Sequence, residues 1–485
     1  MNATKIILRL LSLLFLLLCV PLSLCATVAF FSAEPFHNLL AFLVPVGTAV
    51  VFALTVHFGF GQRGLPALSI KAGFLFVCLA WMGVSLLGCI PFIVSGIIPD
   101  FTPAFFEAMS GFTTTGNIIA AADSLPPSLA LWNSLMQWLG GMGIVVLTVA
   151  IFPLLGFGGL SLMEAETPGP SVAKVSPRIA ASAKILWIIY LGFTLVLALL
   201  LFAGGFTPFE ALTRAMVTVS TGGGSPVDAQ AGLYSSRYIQ IILMIFMLLG
   251  GMSFPLHYKM LCGKFRDVAK DSEWRVYLGI FVVVSFVIAF DFLSRGLYEE
   301  AGEGLLAATF HVSALLSTTG FYTQDFSAWS SLPQMLLFLL LFVGGCSGST
   351  GGGIKVIRIL TMLKMALAEM KYLVHPRGMF GVFVNGQYLK KNIVYNCAAL
   401  VFLYVMVFVI VALVVATGGY DMMTSFTTSL AFLSNTGVGF GLAAPFNSFE
   451  FLPPYIMWTL NLAMLIGRLE VYTVLIILTP AFWKK

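Results

Sequence analysis

Four short stretches of the chain combine hydroxyl or amide side chains with glycine, a pattern that suits cation binding. An alignment of the four stretches places these glycines together: Gly116, Gly222, Gly320 and Gly437. Glycine adopts positive φ without a steric penalty from Cβ, so a loop that contains it can turn successive carbonyl oxygens in one direction. Rings of such carbonyls can replace the water shell of a cation. The stretches therefore predict an ion filter built from backbone oxygens.

Catalytic and metal-ligating patterns are missing from the sequence. The five histidines and seven cysteines are scattered, and neither the HExxH zinc motif nor the GxSxG nucleophile motif occurs. The string GSTGGGIK resembles a phosphate-binding loop, but Val356 follows Lys355 where that motif requires Ser or Thr. We therefore expect no enzyme activity, no catalytic residues, no bound cofactor and no nucleic-acid partner.

The composition indicates that lipid surrounds much of the chain. Hydrophobic residues make up 59% and charged residues only 9% of the 485 residues, whereas a soluble domain carries about a quarter charged residues. Apolar runs such as 185–202, 276–290 and 394–416 approach the roughly 20 residues that a helix needs to cross a bilayer. We expect an all-α integral membrane protein with about ten spans. The first apolar run is expected to stay as a helix rather than be cleaved as a signal peptide.

The distribution of charge predicts the orientation of the chain. Most of the 25 lysines and arginines bunch between alternate apolar runs, most densely at 259–275 and 355–392, and basic loops stay on the cytoplasmic side. Both termini are therefore expected in the cytoplasm, with an even number of spans. The acidic residues map to the opposite side. There they either form an acidic vestibule that concentrates cations or are ordinary solvated loop residues.

The four glycine stretches recur at intervals of about 100 residues, which indicates an internal repeat. An apolar run precedes and follows each stretch, and the segment before each glycine is too short to cross a bilayer, so it should enter and return. The predicted repeat is a span, a short pore helix, a glycine loop and a second span. Four such repeats should surround a central pore, after an extra N-terminal pair of helices. The predicted boundaries are 1–66 for that pair, then 67–172, 173–270, 271–385 and 386–485 for the repeats.

These motifs resemble those of the Trk/Ktr/HKT superfamily of potassium transporters, and within it the bacterial TrkH-type uptake subunit. Asn117 and Gly224 depart from the family pattern beside the filter. The stretches that resemble the four filter loops, in order, are TTTG (113–116), VSTGG (219–223), STTGF (317–321) and SNTGVGFG (434–441). GGCSGSTGGGIKV (344–356) resembles the intramembrane loop of the third repeat, and MLIGRLEVYTVLIILTP (464–480) resembles the last helix.

The resemblance implies gated uptake of potassium through a channel-like pore in the bacterial inner membrane. Potassium is then the transported ion, held by backbone carbonyls beside the shared glycines. Glycine rather than serine at position 116 favours potassium over sodium. The implied ligands are Thr114, Thr115, Gly116, Ser220, Thr221, Gly222, Thr318, Thr319, Gly320, Asn435, Thr436 and Gly437.

A glycine-rich segment interrupts the second span of the third repeat. Each interior glycine disfavours a helix by roughly 1 kcal/mol relative to alanine, so this span should break into two halves joined by a loop that lines the pore. The alternative is a packing kink. In the family the loop acts as a gate, which implies the gating residues Gly344, Gly345, Cys346, Ser347, Gly348, Ser349, Thr350, Gly351, Gly352, Gly353 and, in the last helix, Arg468.

Arg468 is a basic residue within an apolar run, and a charge inside a membrane is costly enough to mark a functional position. It either gates or obstructs the ion path by its charge, or it pairs with carbonyls of a broken helix. The sequence leaves these roles open. Glu470 is two residues away and should point to another side of the helix, which makes it a poor partner.

The remaining expectations concern whether transport is coupled to a second ion and which partners the protein binds. A sodium- or proton-coupled symporter is the alternative to a pore, although it would need titratable groups at mid-membrane, and few occur here. The resemblance implies a homodimer and a cytosolic nucleotide-binding regulatory subunit of the TrkA type, for which the basic segments 259–275 and 355–392 are the expected docking regions. Membrane lipid is the remaining expected partner.

Overall fold

A computed structural model describes residues 3–60, 70–117, 119, 125–143, 179–224, 236–445 and 447–484. Within these residues the chain is almost entirely α-helical, and the one sheet is an antiparallel pair of strands, Phe383–Val384 (β1) and Gln387–Tyr388 (β2). The all-α prediction is therefore confirmed. The predicted boundaries 66/67 and 172/173 lie outside the described residues, and the other domain boundaries stay predictions.

Helices of very different lengths follow one another along the described residues. In chain order they are α1 (Ala3–Phe31), α2 (Phe36–Phe60), α3 (Ile70–Val94), α4 (Phe101–Phe112), α5 (Pro127–Met142), α6 (Ile179–Ala203), α7 (Pro208–Val219), α8 (Arg237–Gly251), α9 (Phe254–Leu261), α10 (Phe265–Lys270), α11 (Ser272–Arg295), α12 (Ala301–Leu316), α13 (Ser331–Leu340), α14 (Val356–Val374), α15 (Lys391–Ala416), α16 (Met422–Leu433), α17 (Pro454–Arg468), α18 (Tyr472–Leu478) and α19 (Pro480–Trp483).

Six of the described helices, α1, α2, α3, α6, α11 and α15, are long and apolar enough to cross a membrane. Large apolar side chains on them point outward, for example Leu199 and Phe402, each with 68% of its surface exposed. Apolar surface on this scale is stable against lipid but costly in water. These helices therefore belong in a bilayer, as the composition predicts.

Four shorter helices, α4, α7, α12 and α16, match the predicted pore helices. They contain 12 to 16 residues, fewer than the roughly 20 that a span requires. A capping box between Thr207 and Glu210 starts α7. Asp421 caps α16 by accepting a hydrogen bond from the backbone N–H of Thr424 at 3.1 Å, and the hydrogen bonds from Thr424 hold the pKa of the Asp421 carboxyl below its ordinary value.

The helix that follows a pore helix is interrupted in the second, third and fourth repeats. α8 and α9 meet at an angle of 105°, and a non-helical segment separates α13 from α14. α17 ends at Arg468, and Glu470 and Val471 then adopt positive φ before α18 begins. The break in the third repeat is confirmed, whereas the other two were not expected. The segment 464–480 is not one helix, because it holds the end of α17, all of α18 and the first residue of α19. Among the described residues, six helices are long enough to span a membrane, or seven segments when α8 and α9 count as one. The number of about ten spans for the whole chain stays a prediction.

Glu34, between α1 and α2, connects the N-terminal helix pair to the first repeat. Its carboxylate accepts a hydrogen bond from the backbone N–H of Ser128 at 2.9 Å and one from the Ser128 hydroxyl at 2.6 Å. A carboxylate is stabilising at this position because the first turn of α5 leaves N–H groups without helical partners. The rings of Phe42 in α2 and Trp132 in α5, both fully buried, also contact each other, with their centres 6.5 Å apart.

Candidate functional site

The four loops after the pore helices share one backbone conformation. The residue after each helix cap has a positive φ: Thr114 (55°), Thr221 (54°), Thr318 (58°) and Asn435 (56°). Two residues later comes a glycine that also has a positive φ: Gly116 (73°), Gly223 (66°), Gly320 (71°) and Gly437 (77°). Non-glycine residues seldom adopt positive φ, so its occurrence at matching positions shows that the loops are structurally equivalent. We call them the filter loops, and we call the four glycines the ring glycines.

This equivalence corrects the register of the second filter loop. The sequence alignment places Gly222 beside the ring glycines of the other loops, but the structure places Gly223 there. Helix α7 has Ser220 as its cap, so Gly222 corresponds to a threonine in each of the other loops. An alignment cannot detect this shift of one residue, because Thr221-Gly222 looks like the Thr-Gly pairs of the other three loops. The corresponding threonines are Thr115, Thr319 and Thr436.

The filter loops close into a ring. At each ring glycine, a Cβ atom would overlap the backbone carbonyl oxygen of the next filter loop. The last of these contacts returns to the first loop, so the ring is complete and has no room for a side chain at any of the four positions. The glycine and carbonyl pairs are Gly116 with Gly222, Gly223 with Thr319, Gly320 with Thr436, and Gly437 with Thr115.

Pairs of hydroxyl groups brace three of the four filter loops. In each of these loops the hydroxyl of the helix cap lies within hydrogen-bonding distance of the threonine hydroxyl two residues later. We call this pair the hydroxyl clasp. The distances are 2.9 Å for Thr113 and Thr115, 2.7 Å for Ser317 and Thr319, and 2.8 Å for Ser434 and Thr436. Backbone carbonyls at the junctions between loops are suitable ligands for a cation, and the C-terminal ends of the pore helices add partial negative charge.

A recess of about 450 Å³ adjoins the ring on the side of its glycines. None of the described residues that line it is acidic, so the acidic vestibule stays a prediction. Two carboxylates assigned to that vestibule, Asp123 and Asp228, lie outside the described residues. The lining residues are Gly116, Asn117, Gly224, Gly320, Tyr322, Thr436, Gly437, Val438, Ala444, Pro445, Asn447 and Phe449.

Residues 344–353 form a non-helical loop between α13 and α14, as the sequence predicts. We call it the intramembrane loop. The backbone N–H of Cys346 donates to the carbonyl of Gly251 at 2.8 Å, and the N–H of Phe254 donates to the carbonyl of Gly348 at 3.0 Å. These bonds fasten the intramembrane loop to the bend between α8 and α9.

The tip of the intramembrane loop contacts two filter loops where they leave their pore helices. The hydroxyl of Thr221 donates to the hydroxyl of Thr350 at 3.1 Å, and the N–H of Gly352 donates to the hydroxyl of Thr318 at 2.7 Å. Thr221 and Thr318 are the positive-φ residues of the second and third filter loops. The intramembrane loop and the recess therefore lie at opposite ends of the filter loops.

Arg468 connects the tip of the intramembrane loop to the end of α5. One guanidinium nitrogen donates to the carbonyl of Thr350 at 2.8 Å, and the other donates to the carbonyl of Gly140 and, at 3.1 Å, to that of Gly141. The guanidinium carbon also lies 5.9 Å from the centre of the Trp81 ring. Pairing with carbonyls, one of the two roles that the sequence leaves open, is therefore the observed geometry. A role as an electrostatic barrier stays a prediction.

A pair of residues in the segment that follows each filter loop is a signal that the sequence predictions above did not use. The pair is Gly-Gly at 140–141, 250–251 and 344–345, and Gly-Arg at 467–468. A Cβ atom at Gly140 or Gly467 would overlap the carbonyl oxygen of the last residue of the adjacent pore helix. Glycine allows this close approach of two backbones. Arg468 thus replaces a glycine of the other repeats at the point of contact with the filter loops.

Glu273, in the first turn of α11, is another residue that the sequence analysis missed. Its side chain is buried, and one carboxylate oxygen accepts hydrogen bonds from the backbone N–H of Ser347 at 2.7 Å and of Ile357 at 3.0 Å. Ser347 belongs to the intramembrane loop and Ile357 to the first turn of α14. The carboxylate therefore holds both sides of the loop in place.

Two basic residues assigned to a cytoplasmic segment are buried instead. Lys355 has 7% and Arg358 has 3% of its surface exposed. The Lys355 ammonium donates to the carbonyl of Gly351, and Arg358 forms an ion pair with Glu470. Buried charges persist only when such partners compensate them. The expected docking segment 355–392 therefore offers exposed basic charge only beyond Arg358.

Comparisons with known proteins all match Trk-type transport proteins, and together they cover almost the whole chain. A family model described as "TrkH: Cation transport protein" matches residues 46–485. The Trk system potassium uptake protein TrkH of Salmonella typhimurium is 38% identical over 429 residues, which are 87% of this chain and 88% of that protein. TrkI of Halomonas elongata is 34% identical over 483 residues, 99% of this chain and 97% of that protein. The crystal structure of the potassium transporter TrkH from Vibrio parahaemolyticus matches with a TM-score of 0.88 at 33% identity and covers 100% of both chains.

Proposed function

The chain belongs to the TrkH family of cation transport proteins, and we propose that it conducts potassium through a channel-like pore whose filter is the ring of four loops. Its apolar helices and its potassium-transporting relatives make it a membrane transport protein rather than an enzyme. The observation that carries the proposal is the closed ring, in which four glycines of positive φ each face the carbonyl of a neighbouring loop.

Backbone carbonyl oxygens of the filter loops are the proposed potassium ligands. A dehydrated potassium ion requires several oxygens at once, and the ring can supply them from four directions without rearrangement. The ligand residues are those that the sequence predicts in each filter loop, and the corrected register adds Gly223 to them. Asn117 and Gly224, which depart from the family pattern, both line the recess, and Gly224 also lies against the carbonyl of Gly116 in the first filter loop.

The intramembrane loop is the proposed gate. It is bonded to the second and third filter loops through Thr350 and Gly352, at the end of the filter opposite the recess. In this proposal, an ion that leaves the filter at this end passes the loop. In this proposal Arg468 is a clamp that keeps the loop against α5, because its two nitrogens bond carbonyls on both sides.

Coupled transport is the remaining alternative. A symporter needs titratable or ion-binding groups that change between two states, whereas the described filter loops offer carbonyls, hydroxyls and the amide of Asn435. These groups favour a pore. Both termini in the cytoplasm, a homodimer and a TrkA-like regulatory subunit remain part of the proposal, and the name "Trk system" of the relatives is consistent with more than one component.

Recording from single molecules tests this function. Purified protein in a planar bilayer, with potassium chloride on one side and sodium chloride on the other, should give unitary currents whose reversal potential corresponds to a potassium-to-sodium permeability ratio well above one. Slow uptake that requires a sodium or proton gradient and never shows unitary currents would favour the symporter. Currents without preference for potassium would contradict the filter.

A further inference from the structure

The second filter loop lacks the hydroxyl clasp of the other three. Its cap, Ser220, has a hydroxyl, but two residues later the loop has Gly222 instead of threonine. The Ser220 hydroxyl donates instead to the carbonyl of Val217 in its own pore helix, at 3.0 Å. This loop also contains three consecutive glycines, 222–224, which makes it intrinsically the least restrained of the four.

The side chain of Gln137, from α5, occupies the space where the missing threonine side chain would lie. A Cβ atom on Gly222 would overlap Oε1 of Gln137, and the three atoms nearest to that Cβ position all belong to the Gln137 side chain. Gly222 itself does not have a positive φ, so its backbone conformation does not require glycine. The Gln137 side chain, rather than the backbone conformation, therefore occupies the space that a side chain at position 222 would need.

Gln137 is also the end of a buried chain of polar groups that reaches the first filter loop. Its Nε2 donates to the carbonyl of Gly224 at 3.4 Å and to Oδ1 of Asn133 at 3.2 Å. Nδ2 of Asn133 donates to Glu107 at 3.1 Å, and Glu107 accepts a hydrogen bond from the N–H of Ile119 at 2.8 Å. Gln137, Asn133 and Glu107 each have no more than 1% of their surface exposed. Buried polar chains of this kind fix the geometry of the groups that they join.

We propose that Gln137 is a positioning residue that replaces the hydroxyl clasp of the second filter loop and sets the selectivity of the ring. In the other loops a threonine braces the filter from within. In the second loop the brace comes from α5, which also joins that loop to the first one through Asn133 and Glu107. The inference rests on the proposed potassium filter and deepens it.

A rescue experiment tests the replacement. Gln137→Ala removes the brace and should lower the potassium-to-sodium permeability ratio about three- to tenfold, the effect of one lost hydrogen bond. Gly222→Thr alone should also lower the ratio, because the new side chain collides with Gln137. The double variant should recover most of the ratio, because the introduced threonine can pair with the Ser220 hydroxyl as Thr319 pairs with Ser317. Ser134→Ala is the matched control, since the buried Ser134 hydroxyl bonds only within α5, to Ala130.

The outcomes separate this inference from the proposed function. A wild-type ratio in Gln137→Ala, or a double variant no more selective than Gln137→Ala, would overturn the inference while the potassium filter stands. A wild-type protein without preference for potassium would contradict the filter itself. If the threonine double variant gives no folded protein, Gln137→Ala with Gly222→Ser is interpreted in the same way, because serine carries the same hydroxyl on a smaller side chain.

Discussion

Two steric constraints meet at each ring glycine. The backbone has a positive φ, and the position of a Cβ atom is already occupied by a carbonyl oxygen of the neighbouring filter loop. The second constraint matters more for selectivity, because any side chain there moves the carbonyl that is proposed to hold the ion. A change at one ring glycine should therefore alter two filter loops.

Gly116→Ser tests this constraint. Its new side chain should displace the carbonyl of Gly222, so we expect a lower potassium-to-sodium permeability ratio in bi-ionic reversal-potential measurements. Gly96→Ser is the matched control, because Gly96 has a similar φ of 75° but no atom within 4 Å of its Cβ position. A ratio in Gly116→Ser equal to that in Gly96→Ser would show that the filter assignment is wrong.

Arg468 allows a test between a clamp and an electrostatic barrier. If Arg468 is a clamp, Arg468→Ala should raise the open probability, and Arg468→Lys should do so nearly as much, because one ammonium cannot bond carbonyls on both sides. If it is a barrier, Arg468→Ala should raise the unitary conductance, and Arg468→Lys should leave it unchanged because the charge remains. Single-channel records measure both quantities, and we predict the first pattern. An unchanged open probability in both variants contradicts the clamp.

The sequence predicts the residue types of the site better than their register. Thr-Gly pairs identify all four filter loops, but the backbone conformation is needed to show that Gly223 is the ring glycine of the second loop. The role of Gln137 is not predictable from sequence, because its partner Gly222 lies 85 residues away and carries no side chain to suggest a contact. The burial of Lys355 is not predictable from sequence either, because a basic residue next to an apolar run is normally exposed at the cytoplasmic end of a span.

At the scale of helices, a glycine allows the helix after a filter loop to approach its pore helix, as Gly140 and Gly467 do. The pore helix and the second helix approach each other closely there, and the chain continues in a new direction after the contact, as at Gly251 before α9. Helix lengths and the short pore helices follow from apolar run lengths in the sequence. The breaks in the second and fourth repeats do not, because one or two glycines are tolerated within a continuous helix and the bend depends on tertiary contacts.

Glu273 should hold the whole intramembrane loop in its closed position, because it bonds both sides of the loop. Glu273→Ala leaves the buried N–H groups of Ser347 and Ile357 without an acceptor, at a cost of about 1 to 3 kcal/mol each. We therefore expect a higher open probability with an unchanged potassium-to-sodium ratio. Glu273→Gln keeps an acceptor oxygen and should behave almost as wild type. A folded Ala variant with the wild-type open probability would show that the loop is held by other contacts.

At the scale of the whole molecule, one ring is assembled from four segments that are far apart in the chain. Each filter loop is positioned by its own pore helix, and its ring glycine contacts a loop of the next repeat. The N-terminal pair is attached outside this ring, through Glu34 and Ser128. If the proposal is correct, the ion path lies where the four filter loops meet, and the intramembrane loop lies at one end of that path.

The central claim is that this ring binds the transported ion. Rubidium replaces potassium at carbonyl sites and scatters anomalously, so crystals soaked in rubidium chloride give a direct test. We predict an anomalous peak on the axis of the ring, coordinated by the carbonyls of Thr115, Gly222, Thr319 and Thr436, and its loss after exchange into sodium. Rubidium bound elsewhere in the membrane region, with no peak at the ring, would contradict the account.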